Sequence, residues 1–154
     1  MPSGKTHDAV NICIGLLIMV PVVAFTAAHG RSDLALAFYA GAAVSTYINP
    51  DISCTEYSRS RHRFKSLFLI GPIYAWVFDV LAYRVTHRHY LSHSIIGTVI
   101  RVALFLPLIA PILAVLRLAW PGLYLTILLF FLIGWFAFDQ VHTSLDFSVS
   151  YFRR

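Results

Sequence analysis

Four apolar runs, at residues 9–28, 34–48, 94–118 and 123–141, constrain this chain more than anything else in it. A helix rises 1.5 Å per residue, so about 20 apolar residues cross the roughly 30 Å hydrocarbon core of a bilayer. Runs like these cannot all hide inside the single core of a 154-residue chain. The composition agrees. The chain is 58% hydrophobic and 12% charged, with a mean hydropathy of +0.73, whereas a soluble domain is about 25% charged. The expected fold is all-α and integral to a membrane. It is one transmembrane domain over 1–154, a bundle of about four transmembrane helices with an interfacial or re-entrant segment at about 64–83.

Local signals refine that picture. Thr6 suits the N-cap of the first helix and Asp8 its positive end; Pro21 falls inside it. A polar turn with Gly30 leads to the second run, which is short and rich in Ala, Gly and Ser, a composition that allows close helix packing. Asn49-Pro50 stops it. Gly71-Pro72 and Asp79 interrupt 64–83. Ser92 suits the cap of the third helix, which would place His93 in its first turn. Pro107 and Pro111 lie within that helix, and Trp120-Pro121-Gly122 is a tight turn before the fourth. The first run is too long for a signal-peptide core and is expected to stay as a helix. Cys13 and Cys54 form no CxxC pair and read as inert thiols.

Charge sets orientation. The net charge is +5 and the pI about 9.5. Lys5, the group Arg59, Arg61, Arg63, Lys65, Arg84 and Arg88, and Arg153 with Arg154 flank the runs on one predicted side. The other two connections hold only Arg31 and Arg117. By the positive-inside rule both termini and the central stretch are cytoplasmic, provided that 64–83 does not cross. These cations suit anionic lipid headgroups. No basic helix or aromatic platform points to nucleic acid. Ser3-Gly4-Lys5-Thr6 imitates the tail of a P-loop but lacks its first glycine and the preceding strand.

This topology gathers polar residues from distant parts of the sequence. His7, Asp51, His87, His93, His142 and Asp146 all lie at the edges of apolar runs, and all fall on the same predicted side. His142 and Asp146 are spaced i, i+4 and share a helical face. Alone, that spacing equally describes an interfacial hydrogen-bonded pair. His87-Arg88-His89-Tyr90-Leu91-Ser92-His93 places three histidines in one short stretch. Asp51 also reads as part of a helix stop, and His89 as an interfacial histidine. Together the six supply imidazole and carboxylate donors suited to a divalent metal such as Zn, Mn or Fe.

The opening Met-Pro-Ser-Gly-Lys-Thr-His-Asp, the Asn-Pro-Asp after the second run, the histidine block at 87–93 and the late His-x-x-x-Asp together resemble a family of metal-binding membrane proteins of unknown function, common in cyanobacteria. More distantly the pattern is similar to the membrane-bound metal-dependent hydrolases. The resemblance covers Met1 to about Asp146. It implies metal-ligand roles for His7, Asp51, His87, His93, His142 and Asp146, and a bacterial inner or thylakoid membrane as the setting. This chain has Ser53 where the family has a second aspartate, which implies one metal or lost hydrolytic competence.

Two functions follow as expectations. The first is a metal-dependent hydrolase of phosphoester or lipid-like substrates, with Asp51 or Asp146 as general base and Arg84 and Arg88 holding an anionic group. The second is a non-catalytic small subunit or assembly factor of a larger membrane complex, its helix ends pinned by a metal or a polar cluster.

Overall fold

The structure, a computed structural model, describes residues 4–48, 65–66, 71–73, 76 and 94–151. Among them all regular structure is helical. The long elements are α1 (Gly4–Ala28), α2 (Ser32–Tyr47), α3 (Ile95–Ala119) and α4 (Tyr124–Tyr151). Of the stretch 64–83 only six positions are described, so the interfacial reading of it lies outside the described residues.

Each boundary has a local cause. α1 already begins at Gly4, so Thr6 is inside the helix and does not cap it, contrary to the sequence reading. At its other end the Arg31 amide bonds back to the Thr26 carbonyl at 2.8 Å and the Gly30 amide to Ala27 at 2.9 Å. This is a Schellman stop, and it needs a left-handed residue. Gly30 supplies it with φ +64°. Arg31 and Asp33 pair at 2.9 Å across the start of α2. The guanidinium holds the Asp33 carboxyl below the usual carboxylate range. α3 is capped by Ser94, whose Oγ accepts from the Gly97 amide at 3.2 Å. The cap is therefore Ser94 and not Ser92, and His93 precedes the helix. α4 begins at Tyr124 and runs through His142 and Asp146 to Tyr151, ten residues past the end of the apolar run at 123–141.

Side-chain contacts fix the direction of each helix. Thr98 and Arg101 of α3 bond Asp139 of α4, Phe105 stacks near Trp135, and the turn after Trp120 joins the two. They are antiparallel. α1 and α2 form a second hairpin, with Tyr39 Oη donating to the Gly15 carbonyl at 3.3 Å. Gly30, Arg31 and Asp33 line one cavity together with Leu116, Trp120 and Leu123, so both hairpin turns lie at the same end. At the other end, which we call the open end, α1 and α3 begin and α2 and α4 finish. α2 crosses α4 where Gly41 and Gly134 lie against backbone. A methyl group on Gly41 would overlap the Phe131 carbonyl oxygen, and one on Gly134 that of Phe38. Phe38, Ala42 and Phe138 bury one core cluster against Ile18 and Val22. Ile48, Phe105 and Trp135 bury another.

Three helices are long and apolar enough to cross a membrane, at Ala9–Ala28, Ile95–Ala119 and Tyr124–Ser148. α2 has 16 residues, about 24 Å of helix, less than the hydrocarbon core. The surface is inverted relative to a water-soluble protein. Leu17 is 76% and Leu118 85% exposed, while Arg101 and Asp139 are buried at 2% and 0%. Apolar side chains outside and polar ones inside is the arrangement expected of a chain in lipid.

Candidate metal centre

His142 and Asp146 sit one turn apart on α4, and both are buried, at 1% and 3% exposure. His142 Nε2 lies 3.6 Å from Asp146 Oδ2. That is beyond hydrogen-bond range. The sequence placed these residues at the edge of an apolar run. The structure places them inside the helix and inside the bundle, because α4 continues past its apolar stretch by turning a polar face inward.

That face is longer than the sequence indicated. Asp139, His142, Thr143 and Asp146 recur at three- and four-residue intervals and are all buried. From α3, Thr98 and Arg101 reach across to Asp139. Gln140 Nε2 donates to Thr98 Oγ1 at 2.9 Å and Arg101 Nη2 to the same hydroxyl at 3.3 Å. Asn11 and Thr26 on α1 and Ser45 on α2 are buried as well. None of Asn11, Ser45, Thr98, Asp139, Gln140 or Thr143 was singled out from the sequence. One signal for Asp139 was available. It stands 18 residues after Pro121 and Arg101 stands 20 before it, so two opposite charges in adjacent spans lie within one helical turn of the same depth from a tight turn.

Register along the helices organises the open end. Gly15 of α1 contacts the Phe138 ring, 3.4 Å from a Cβ built on the glycine. α1 and α4 are antiparallel, so one turn toward the open end pairs the levels of Asn11 and His142. One turn further pairs the levels of His7 and Asp146. His7 falls in the first turn of α1, as expected. Asp51, Ser53, Arg84, His87, Arg88, His89 and His93 lie outside the described residues.

The buried donors provide a test of whether a metal fits. Asn11 Oδ1, Ser45 Oγ, Asp139 Oδ1 and Thr143 Oγ1 are buried with no hydrogen-bond partner among the described residues. Buried polar groups are costly unless satisfied, and a cation, with the water it carries, satisfies several at once. Nitrogen and oxygen donors of this kind suit Zn, Mn or Fe(II). In donor type the described residues fit a divalent metal. In number they fall short, since no three His, Cys, Asp or Glu side chains among them form a metal-binding group.

A helical bundle with three helices able to cross a membrane and a buried row of metal-type donors defines the class. Residues 2–148 match the model of a family described as "Uncharacterized metal-binding protein (DUF2227)", and the chain belongs to that family. No curated protein and no solved structure matches it. The family bears out the expected metal. It names no reaction and no particular metal.

Proposed function

We propose that this is an integral membrane protein whose open end holds a divalent metal. His142 is its ligand from α4 and His7 its ligand from α1, His87 and His93 are ligands from the chain between α2 and α3, and one or both of Asp146 and Asp51 join them. The buried His142–Asp146 pair carries the proposal. A histidine and a carboxylate enclosed together in an apolar bundle are costly without a function that needs both. Register supports His7, which shares a level with Asp146. The sequence supports the others, because Asp51 follows the last residue of α2 by four and His93 immediately precedes the Ser94 cap.

The open end is the cytoplasmic, headgroup face of the membrane in this reading, since the flanking cations gather there. The reaction class is hydrolysis of a phosphoester or lipid-like substrate. Bound metal supplies an activated water and polarises the scissile group. Asp51 or Asp146, whichever is not a ligand, takes the proton, and Arg84 and Arg88 hold the anionic group.

The test is metal content and turnover of the protein purified in mild detergent. Stoichiometric metal in the wild type, lost in His142→Ala, is the expected result. Equal metal in both would overturn the site. Turnover of a phosphoester panel by wild type, abolished in His93→Ala, supports hydrolysis. Metal without turnover, together with a stoichiometric partner, replaces it with the subunit reading.

A further inference from the structure

α2 lies against α4 and keeps its backbone away from α3, which leaves a seam between α2 and α3 with α4 as its floor. Two cavities follow one another along it. The first, about 530 Å³, opens at the hairpin end between Arg31, Asp33 and Ala40 on one side and Leu116 and Trp120 on the other. The second, about 260 Å³, lies deeper, between Ala43 and Val44 of α2 and Leu108 and Ile109 of α3. The α2 residues Asp33, Leu36, Ala40, Ala43 and Tyr47 line them at steps of three and four, so both cavities share one helical stripe. All five are exposed. At the open end Ile48, Phe105 and Trp135 pack together and close the seam.

Size and charge say what the seam accepts. From Asp33 to Ile48 it runs about 22 Å at 1.5 Å per residue, long enough for the roughly 15 Å of hydrocarbon in one leaflet. A helix of that length and about 10 Å across fills on the order of 1,700 Å³, more than twice what the two cavities hold. A single acyl chain is far thinner. The deeper cavity presents only apolar surface. Among the described lining residues, charge stands only at the hairpin end, where the Arg31 and Asp33 side chains pair at 2.9 Å and remain 27% and 41% exposed. A guanidinium has five N–H donors and a carboxylate about four acceptor positions, so each can take a further partner. Half-exposed Trp120 beside them suits the headgroup level.

We propose that the seam between α2 and α3 binds one phospholipid whose headgroup carries a primary amine. The chain lies along the α2 stripe, Arg31 takes the phosphate, and Asp33 accepts from the ammonium. A quaternary ammonium has no N–H to donate, so Asp33 distinguishes the two kinds of headgroup. The proposal rests on the membrane setting of the preceding section and not on the metal.

The full chain is reconstituted as Trp76→Phe in phosphatidylcholine vesicles. Trp120 and Trp135, one on each cavity, remain as fluorescent reporters. Phosphatidylethanolamine or phosphatidylcholine with brominated chains is added in rising proportion, because bromine quenches tryptophan on contact. Brominated phosphatidylethanolamine should reach half its quenching at about a tenfold lower mole fraction, the worth of one charge-assisted hydrogen bond. Asp33→Asn should abolish that difference. Ala40→Leu and Ala43→Leu, at exposed positions, fill the seam without entering the core. They should remove the preference at an unchanged melting temperature. Equal half-quenching fractions for the two lipids overturn the proposal, and so does a preference that survives Asp33→Asn or survives both alanine variants. Weak quenching by either lipid in protein that crosslinks as a dimer also overturns it, because a second copy then covers the seam. A chain that fails to enter the vesicles overturns the membrane setting as well.

Discussion

Arg101 is the residue whose surroundings most change its meaning. In the sequence it is a single cation inside an apolar run. In the fold it faces Asp139, and neither is accessible. Removing one member of such a pair leaves an uncompensated buried charge, which costs about 3–5 kcal/mol. Asp139→Ala should therefore destabilise the protein by about that amount, measured by denaturant unfolding in detergent. Arg101→Met with Asp139→Leu should recover most of it. A second prediction concerns pH. Arg31 depresses the Asp33 carboxyl, chiefly through their hydrogen bond. A folded-state value below the unfolded one adds stability above the ordinary carboxylate range and loses it as pH falls through the lowered value. The pair is exposed, so the effect is small. Asp33→Asn should flatten that part of the acid limb in thermal melts. At this scale the sequence singled out His142 and Asp146 but not their buried neighbours. His and Asp announce themselves by chemistry, whereas Asn11, Ser45 and Thr143 differ from ordinary helix residues only once burial is known.

At the scale of elements, hydropathy located the helices but does not set their ends. The runs at 9–28 and 94–118 became Gly4–Ala28 and Ile95–Ala119. The run at 123–141 grew to Tyr151, because a helix ends where its backbone bonding ends and not where its apolar stripe does. Ser94 rather than Ser92 caps α3 for a related reason: either serine fits the pattern, and only the backbone decides which carries the non-helical φ and ψ. Glycine matters most at the crossing of α2 and α4. Gly41→Ala or Gly134→Ala would push a methyl group into a carbonyl oxygen of the facing helix. Overpacking of a close contact costs about 1–3 kcal/mol, and more where backbone must move. Each variant should reach or pass the top of that range and lower the melting temperature, whereas Gly122→Ala, with open space around it, should change it little.

At the scale of the molecule, two hairpins share an end, and this gives a topology that can be tested. A cysteine placed at Gly122 should react with a membrane-impermeant thiol reagent from the side opposite to a cysteine placed at Arg154, in a Cys13→Ser, Cys54→Ser background. Labelling of both from one side would overturn the proposed orientation. That the first turn of α1, with His7, and the later part of α4, with His142 and Asp146, lie toward one end was legible from the alternation of runs and loops; Asp51, His87 and His93 lie outside the described residues. How α2 packs across α4 was not legible, since that depends on the close contacts at Gly41 and Gly134. One dimension of that packing has a further consequence. α2 stops about 10 Å beyond its crossing with α4, near the level of His142, while α1 and α4 run on. In the proposed membrane setting the bundle then presents a taller hydrophobic wall on one flank than on the other. Lipid beside the short flank has to thin to match it, at a modest cost for each ångström of mismatch. By the described helices alone, the proposed membrane setting would favour a bilayer thinned beside α2, and such a dimple would bring water and headgroups toward the depth of His142.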